Sequence, residues 1–385
     1  MTIKQYLLAA CGSVMLLQGC DKYKDFDLAG NQGGVEKYPV NWIKAADSSS
    51  TTLVTSFWNP QGKYFNRNNN GNPEFHYWPQ AHALDVVVDA YTRTQQPLYR
   101  IYMNDWFTGV KEKNGNTFLN EFYDDMEWNA LAMLRAYNAT SDAKFKSAVD
   151  EVWADIKTGW NTNMGGGISW RKAMPAYKNV PANAPASILA SRLYQQFKNE
   201  EDLQWAKKIY AWMKDSLYET GTGQVYDGIN NKGDGKRDEW KFTYNHGTFI
   251  GAALELYNIT KDAVYLNDAM KVAAYTMSDN TLTNATDRLL RDEGGGDGGL
   301  FKGVFVRYFT QLIIHPDLPE TYRSRYIAFL KHNFETLWYE GTSKPAILFG
   351  SYWKRKPGTE TEMPIQVSGA TLVEAAALLQ EKELF

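Results

Sequence analysis

Glu121-Phe122-Tyr123-Asp124-Asp125-Met126-Glu127-Trp128-Asn129-Ala130-Leu131 begins the segment from which the rest of the 385-residue chain can be read. It runs on to Tyr137, and Leu131, Leu134 and Tyr137, with small Ala130, Ala132 and Ala136, recur at helical spacing. The run is apolar nearly all round, so the helix it predicts is buried on more than one side. Its ending, Ala-Leu-Ala-Met-Leu-Arg-Ala-Tyr137, is echoed by Ala-Leu-Asp-Val-Val-Val-Asp-Ala-Tyr91, Ile-Leu-Ala-Ser-Arg-Leu-Tyr194 and Gly-Ala-Ala-Leu-Glu-Leu-Tyr257. Tyr137 and Tyr257 are followed alike by Asn-x-Thr-x-Asp-Ala, which places Asp142 and Asp262 as caps of the next helices.

Working outward, the apolar class of helix covers 79–94, 125–137, 184–197, 245–257, 300–314 and 368–380. A second class, at 143–157, 202–217, 263–277 and 320–339, is charged on one face and carries Trp, Ile, Leu and Tyr on the other. Alternation of the two predicts an all-α fold, an (α/α)6 barrel of six inner and six outer helices. A helical solenoid is the competing architecture. The closed barrel is preferred because residues 372–379 are apolar where a solenoid needs a polar cap. In a barrel the N-terminal ends of the inner helices gather at one mouth. Aligned on the shared tyrosine, Asp124 and Asp125 match Tyr244 and Asn245.

Charge is near balance, 41 Lys+Arg against 44 Asp+Glu, which supplies no basic field for a nucleic-acid partner. The cysteines, Cys11 and Cys20, both precede the predicted helices, so no disulfide framework or Cys-x-x-Cys site forms in the body. The histidines (His76, His82, His246, His315, His332) are scattered without metal-ligand spacing, and no metal or other cofactor is expected. Residues 6–17 are mostly apolar, follow Lys4 and lead to Leu17-Gln18-Gly19-Cys20, a pattern that resembles a bacterial lipobox. The expected organisation is a lipoprotein signal peptide at 1–19, a tether starting at lipidated Cys20 and ending at 45, and the (α/α)6 domain over 46–385. That resemblance implies an exported, membrane-anchored lipoprotein, on the periplasmic or the cell-surface face of the outer membrane. A monomer is the expectation.

Asp124 and Asp125 stand where a loop becomes a helix. Asp124 and Glu127 have the spacing of a capping box. Two carboxylates about 5–5.5 Å apart are what a retaining glycosidase needs; on spacing alone, an acidic cap with a dipole-favoured aspartate is the preferred reading of the pair. Gly165-Gly166-Gly167-Ile168-Ser169-Trp170 can bring backbone close to a ligand and offers Trp170 as a sugar-stacking face, or is a flexible turn. Asn183, Tyr244 and Asn245 stand at helix starts, where they can meet sugar hydroxyls or cap backbone N–H groups. His246 is read as a structural histidine. The clusters Tyr64-Phe65-Asn66 and His76-Tyr77-Trp78 either line a groove or pack beneath it. The acidic, glycine-bearing stretches 227–238 and 292–299 are read as loops.

Taken in order, Asp124-Asp125-x-x-Trp128-x-Ala130-Leu131, Gly165-Gly166-Gly167-Ile168-x-Trp170, Asn183-x-Pro185, Tyr244-Asn245-x-Gly247 and Phe301-Lys302-Gly303-x-Phe305-x-Arg307-Tyr308 resemble glycoside hydrolase family 76, the endo-α-1,6-mannanases. The resemblance spans most of 50–380. It implies an (α/α)6 fold and cleavage of α-1,6-mannan, the backbone of yeast-type mannan, by double displacement. Asp124 would be the nucleophile and Asp125 the acid/base. Trp128, Asn183, Tyr244, Asn245, Phe301 and Lys302 would border the substrate groove. Asn129, Gly166, Gly167 and Trp170 complete the expected binding set. The alternatives are a non-catalytic surface glycan-binding lipoprotein and a transglycosylase of the same fold.

Overall fold

The computed structural model describes residues 37–385 and shows there twelve α-helices and three short two-stranded antiparallel sheets. The helices are α1 (Trp42–Ser56), α2 (Tyr77–Thr94), α3 (Pro97–Lys113), α4 (Tyr123–Thr140), α5 (Ala143–Thr158), α6 (Ala184–Phe197), α7 (Glu200–Leu217), α8 (Thr243–Thr260), α9 (Ala263–Ser278), α10 (Gly298–Ile313), α11 (Glu320–Tyr339) and α12 (Met363–Glu381). Each even-numbered helix packs on the next even-numbered one, and α12 returns against α2. That return closes the ring and sets aside the solenoid. The odd-numbered helices cover the outside, α5 on α4, α7 on α6 and α9 on α8.

The echoed tyrosines mark one repeated device. Gln95, Ser141, Lys198 and Lys261 end α2, α4, α6 and α8 in the left-handed conformation, and their N–H groups donate to Tyr91, Tyr137, Tyr194 and Tyr257 at 2.7–2.9 Å. The chain then reverses into an outer helix. Asp142 and Asp262 cap α5 and α9 as expected, accepting from Lys144 N and Val264 N.

Two outer helices, α1 and α3, were not read from the sequence. The inward face of α1 includes Ser49, Ser50 and Thr52, all buried, so its hydropathy does not alternate clearly. It starts at Trp42, inside the segment expected to be tether. Asn41 caps it by accepting from Lys44 N, and the Trp42 ring meets Phe334 edge-on at 4.5 Å. The predicted signal peptide, Cys20 and most of the tether lie outside the described residues.

At the C-terminal end of the inner helices, arginines tie the ring together. Arg135 of α4 pairs with Asp85 and Asp89 of α2, and Arg307 of α10 pairs with the same two aspartates. These guanidinium groups hold both carboxyls below the usual carboxylate range despite burial. The opposite end is left to the loops.

Candidate active site

Segments at the N-terminal ends of α2, α4, α6, α8 and α10 surround one cleft of about 620 Å³. The common mouth expected from the barrel is therefore present. His76 and Trp78 come from the start of α2. Phe122, Asp124, Asp125 and Trp128 come from α4, and Trp170, Tyr177 and Asn179 from the loop before α6. Asp227, Asn231, Trp240, Phe242 and Tyr244 precede or begin α8, and Asp297 and Phe301 begin α10. Nine of these sixteen residues are Trp, Tyr or Phe, four are Asp, and none is Lys or Arg. Aromatic faces with carboxylate acceptors suit a neutral ligand that has both apolar C–H faces and hydroxyls.

The pair at 124 and 125 is not a cap. The N-cap of α4 is Phe122, and both aspartates lie in the first helical turn. The loop before α6 sets this start, because Tyr123 N donates to Trp170 O at 3.0 Å. Side chains diverging by about 100° still border one cleft here, because the cleft wraps around the end of the helix. Asp124 has a donor on each oxygen: Asp125 N on Oδ1 at 3.0 Å and Trp170 Nε1 on Oδ2 at 3.1 Å. Burial outweighs these donors and raises Asp124 to about 7. Burial, together with the neighbouring charges of Asp124 and Asp297, pushes Asp125 well above the usual carboxylate range. Near neutral pH the pair therefore holds a proton, and the anion better supplied with hydrogen-bond donors is Asp124.

Two further aspartates line the cleft, Asp227 buried and Asp297 exposed. Asp227 receives bonds from Asn245 Nδ2 at 2.8 Å, Tyr177 OH at 3.2 Å and Tyr244 OH at 3.3 Å. Asp297 accepts from Trp78 Nε1 at 2.8 Å. Both lie in stretches read from the sequence only as acidic loops. For Asp297 the available signal was position, since it stands directly before α10.

Of the other expected binding residues, Trp128, Trp170, Tyr244 and Phe301 line the cleft. Tyr244 and Phe301 stack with ring centroids 4.0 Å apart and planes within 8°. The remaining six are not among the lining residues. Asn129 is buried and donates to Asp125 O at 2.8 Å, holding the first turn of α4 from behind. Asn183 grips Ile168 through both backbone groups, at 2.8 and 2.9 Å, and makes no side-chain cap bond to α6. Asn245 serves Asp227. Gly166 and Gly167 are buried against Trp212, where an added Cβ would lie 2.9 and 2.8 Å from its ring. Their small size serves packing. Lys302 is buried, donates to Ser351 O and lies 4.8 Å from the Trp353 ring, so it points away from the cleft.

His246 is a satisfied core histidine: Nδ1 donates to Phe242 O at 2.9 Å and Nε2 accepts from Val225 N at 3.3 Å. Tyr64 and Phe65 pack beneath the surface, whereas His76 and Trp78 line the cleft. Lys178, fully buried, donates to Gly167 O at 2.8 Å and Ser169 Oγ at 3.0 Å, and so fixes the loop that carries Trp170.

The family model for glycosyl hydrolase family 76 matches residues 41–385. Among solved structures, an α-1,6-mannanase from Salegentibacter sp. is 42% identical with TM-score 0.85, over 88% of this chain and 100% of that one. An inactive variant of that enzyme, with two consecutive aspartates replaced by alanine, is known in complex with α-1,6-mannotetrose. A protein from Listeria innocua is 38% identical with TM-score 0.81, over 89% of this chain and 99% of that one. A mannan endo-1,6-alpha-mannosidase from Candida albicans is 26% identical over 262 residues, 61% of this chain and 58% of that protein. One from Candida glabrata is 27% identical over 209 residues, 48% of this chain and 46% of that protein. The chain thus spans about half the length of these curated relatives.

Proposed function

The chain belongs to glycosyl hydrolase family 76, and from that premise we propose that this glycoside hydrolase is an endo-acting α-1,6-mannanase working with retention. Asp124 is the nucleophile and Asp125 the acid/base. The observation that carries the assignment is the unequal setting of the two carboxyls. Asp124 has a donor on each oxygen, and Asp125 is flanked by the carboxyls of Asp124 and Asp297. A supporting comparison is the inactive double-aspartate variant of the Salegentibacter enzyme.

In the first step Asp125 gives its proton to the glycosidic oxygen as a carboxylate oxygen of Asp124 bonds to the anomeric carbon. The C–O bond to the leaving sugar breaks, and a mannosyl ester forms. In the second step Asp125, now a carboxylate, takes a proton from water. That water attacks the same carbon and frees Asp124. With its proton returned, Asp125 is ready for the next cycle.

The test is product release from linear α-1,6-mannan, beside a panel of other polysaccharides, by the wild type and by Asp124→Asn and Asp125→Asn. Loss of release in each folded variant is expected. Normal turnover by either variant overturns the role assigned to that residue, and products longer than the substrate mark transfer to sugar in place of water.

We propose as well that residues 1–19 are removed and that Cys20 bears the anchor of an exported lipoprotein. The support is the apolar run ending in Leu17-Gln18-Gly19-Cys20. Cys20→Ala should release the protein from the membrane fraction.

A further inference from the structure

The chain has thirteen tryptophans, all among the described residues. Twelve are buried or half-buried; Trp240 alone is exposed, at 50%. It is also a lining residue of the catalytic cleft. Its ring contact, with Phe242, is distant and tilted, at 6.5 Å and 51°, and half of the side chain remains open to solvent. At that exposure the indole contributes little burial to folding. Its position at the rim, where the cleft opens, supplies a binding reason.

The backbone on either side of Trp240 is anchored. Before it, Arg237 Nε donates to Ser216 O at 2.6 Å and Asp238 N to Gly228 O at 2.8 Å. After it, Lys241 Nζ donates to Tyr275 OH at 2.7 Å and Asp279 Oδ2 at 2.8 Å, and α8 begins two residues later. The ring is therefore held out on a fixed support, so a ligand that stacks on it need not order a loop first.

We propose that Trp240 is a rim subsite, on which the apolar face of a neutral hexopyranose stacks when the bound chain is long enough to reach from the aspartate pair to the mouth. The subsite makes the enzyme prefer polymer to short oligosaccharide. This rests on the α-1,6-mannan reading above.

The experiment compares kcat/KM along a ladder of linear α-1,6-manno-oligosaccharides for the wild type, Trp240→Ala and Trp240→Phe. The wild-type ratio of long-chain to short-chain kcat/KM is expected to fall about tenfold in Trp240→Ala, the scale of one aromatic stacking contact. It should be largely kept in Trp240→Phe. A ratio unchanged in Trp240→Ala overturns the proposal, as does an equal fall at every length. Calorimetry of the longest oligosaccharide with the Asp124→Asn/Asp125→Asn protein, with and without Trp240→Ala, gives a reading independent of turnover. About tenfold weaker binding is expected, and equal binding refutes the subsite. If mannan is cleaved and only the ratio fails, the rim subsite alone is wrong. If the wild type neither cleaves nor binds mannan, the substrate assignment fails and the subsite with it. Matching thermal unfolding of Trp240→Ala and wild type excludes a folding defect.

Discussion

Trp170 Nε1 donates to Asp124 Oδ2 across 3.1 Å, linking the loop before α6 to the proposed nucleophile on α4. A hydrogen bond to a carboxylate favours its charged form. Removing the donor should raise Asp124 above its value of about 7. Trp170→Phe is therefore expected to move the acid limb of the kcat/KM profile upward, by about one pH unit for the loss of one charge-assisted bond. Activity below pH 7 should fall more than activity above it. An unchanged acid limb would show that the indole only packs.

The unequal roles proposed for the two carboxyls predict unequal rescue. A leaving group that departs without protonation needs no general acid. On an α-1,6-linked mannoside with a dinitrophenolate leaving group, Asp125→Ala should regain a rapid first burst of phenolate, followed by slow turnover. Asp124→Ala should give no burst. Added azide should accelerate Asp125→Ala, because a small anion can attack the ester without a base. A burst from Asp124→Ala would exchange the assignments.

Some of this was legible in the sequence and some was not, for reasons that differ by residue. The inner helices were legible because α4 and α8 are apolar nearly all round and end on the same tyrosine signal. The outer helix α1 was not, since Ser49, Ser50 and Thr52 fill its buried face and carry little hydropathy contrast. In the site, the aspartate pair, Trp128, Trp170, Tyr244 and Phe301 were legible from motif and position. Lys302 follows Phe301 directly, but one residue of helix is a turn of about 100°, which sends its side chain to Ser351 instead. Asp227 could not be found from local pattern, because its meaning comes from Tyr177, fifty residues earlier, and from Tyr244 and Asn245, which follow it.

Function should cost stability here, with a definite pH dependence. Burial raises both Asp124 and Asp125 above the unfolded carboxylate value, ~3.9. The folded state therefore holds protons that the unfolded chain releases above that value. The stability tied to those protons is fully present below ~4 and is lost as pH rises through the folded pKa, about 7 for Asp124. Asp124→Asn/Asp125→Asn carries no such dependence. Its Tm should match the wild type near pH 4 and exceed it by about 2 °C or more at pH 7.5. A gap that does not widen with pH would mean that the carboxyls are not destabilised by burial.

The glycine loop offers a way to disturb Asp124 without touching it. Gly167 has φ +83, and a Cβ there would lie 2.8 Å from the Trp212 ring. That ring is fixed by Trp212 Nε1 donating to Met164 O at 2.9 Å. Gly167→Ala must move the loop, and Trp170 is only three residues on. Strain at a left-handed position with a buried overlap costs about 1–3 kcal/mol, so a lower Tm is expected. The acid limb should also move upward, in the same sense as for Trp170→Phe. Gly165 separates backbone strain from displacement: it too has positive φ, +74, but open space surrounds its Cβ position. Gly165→Ala should lower Tm by the backbone cost alone, about 1 kcal/mol, and leave the pH profile in place. Identical pH profiles for Gly167→Ala and wild type would disconnect the loop from Asp124.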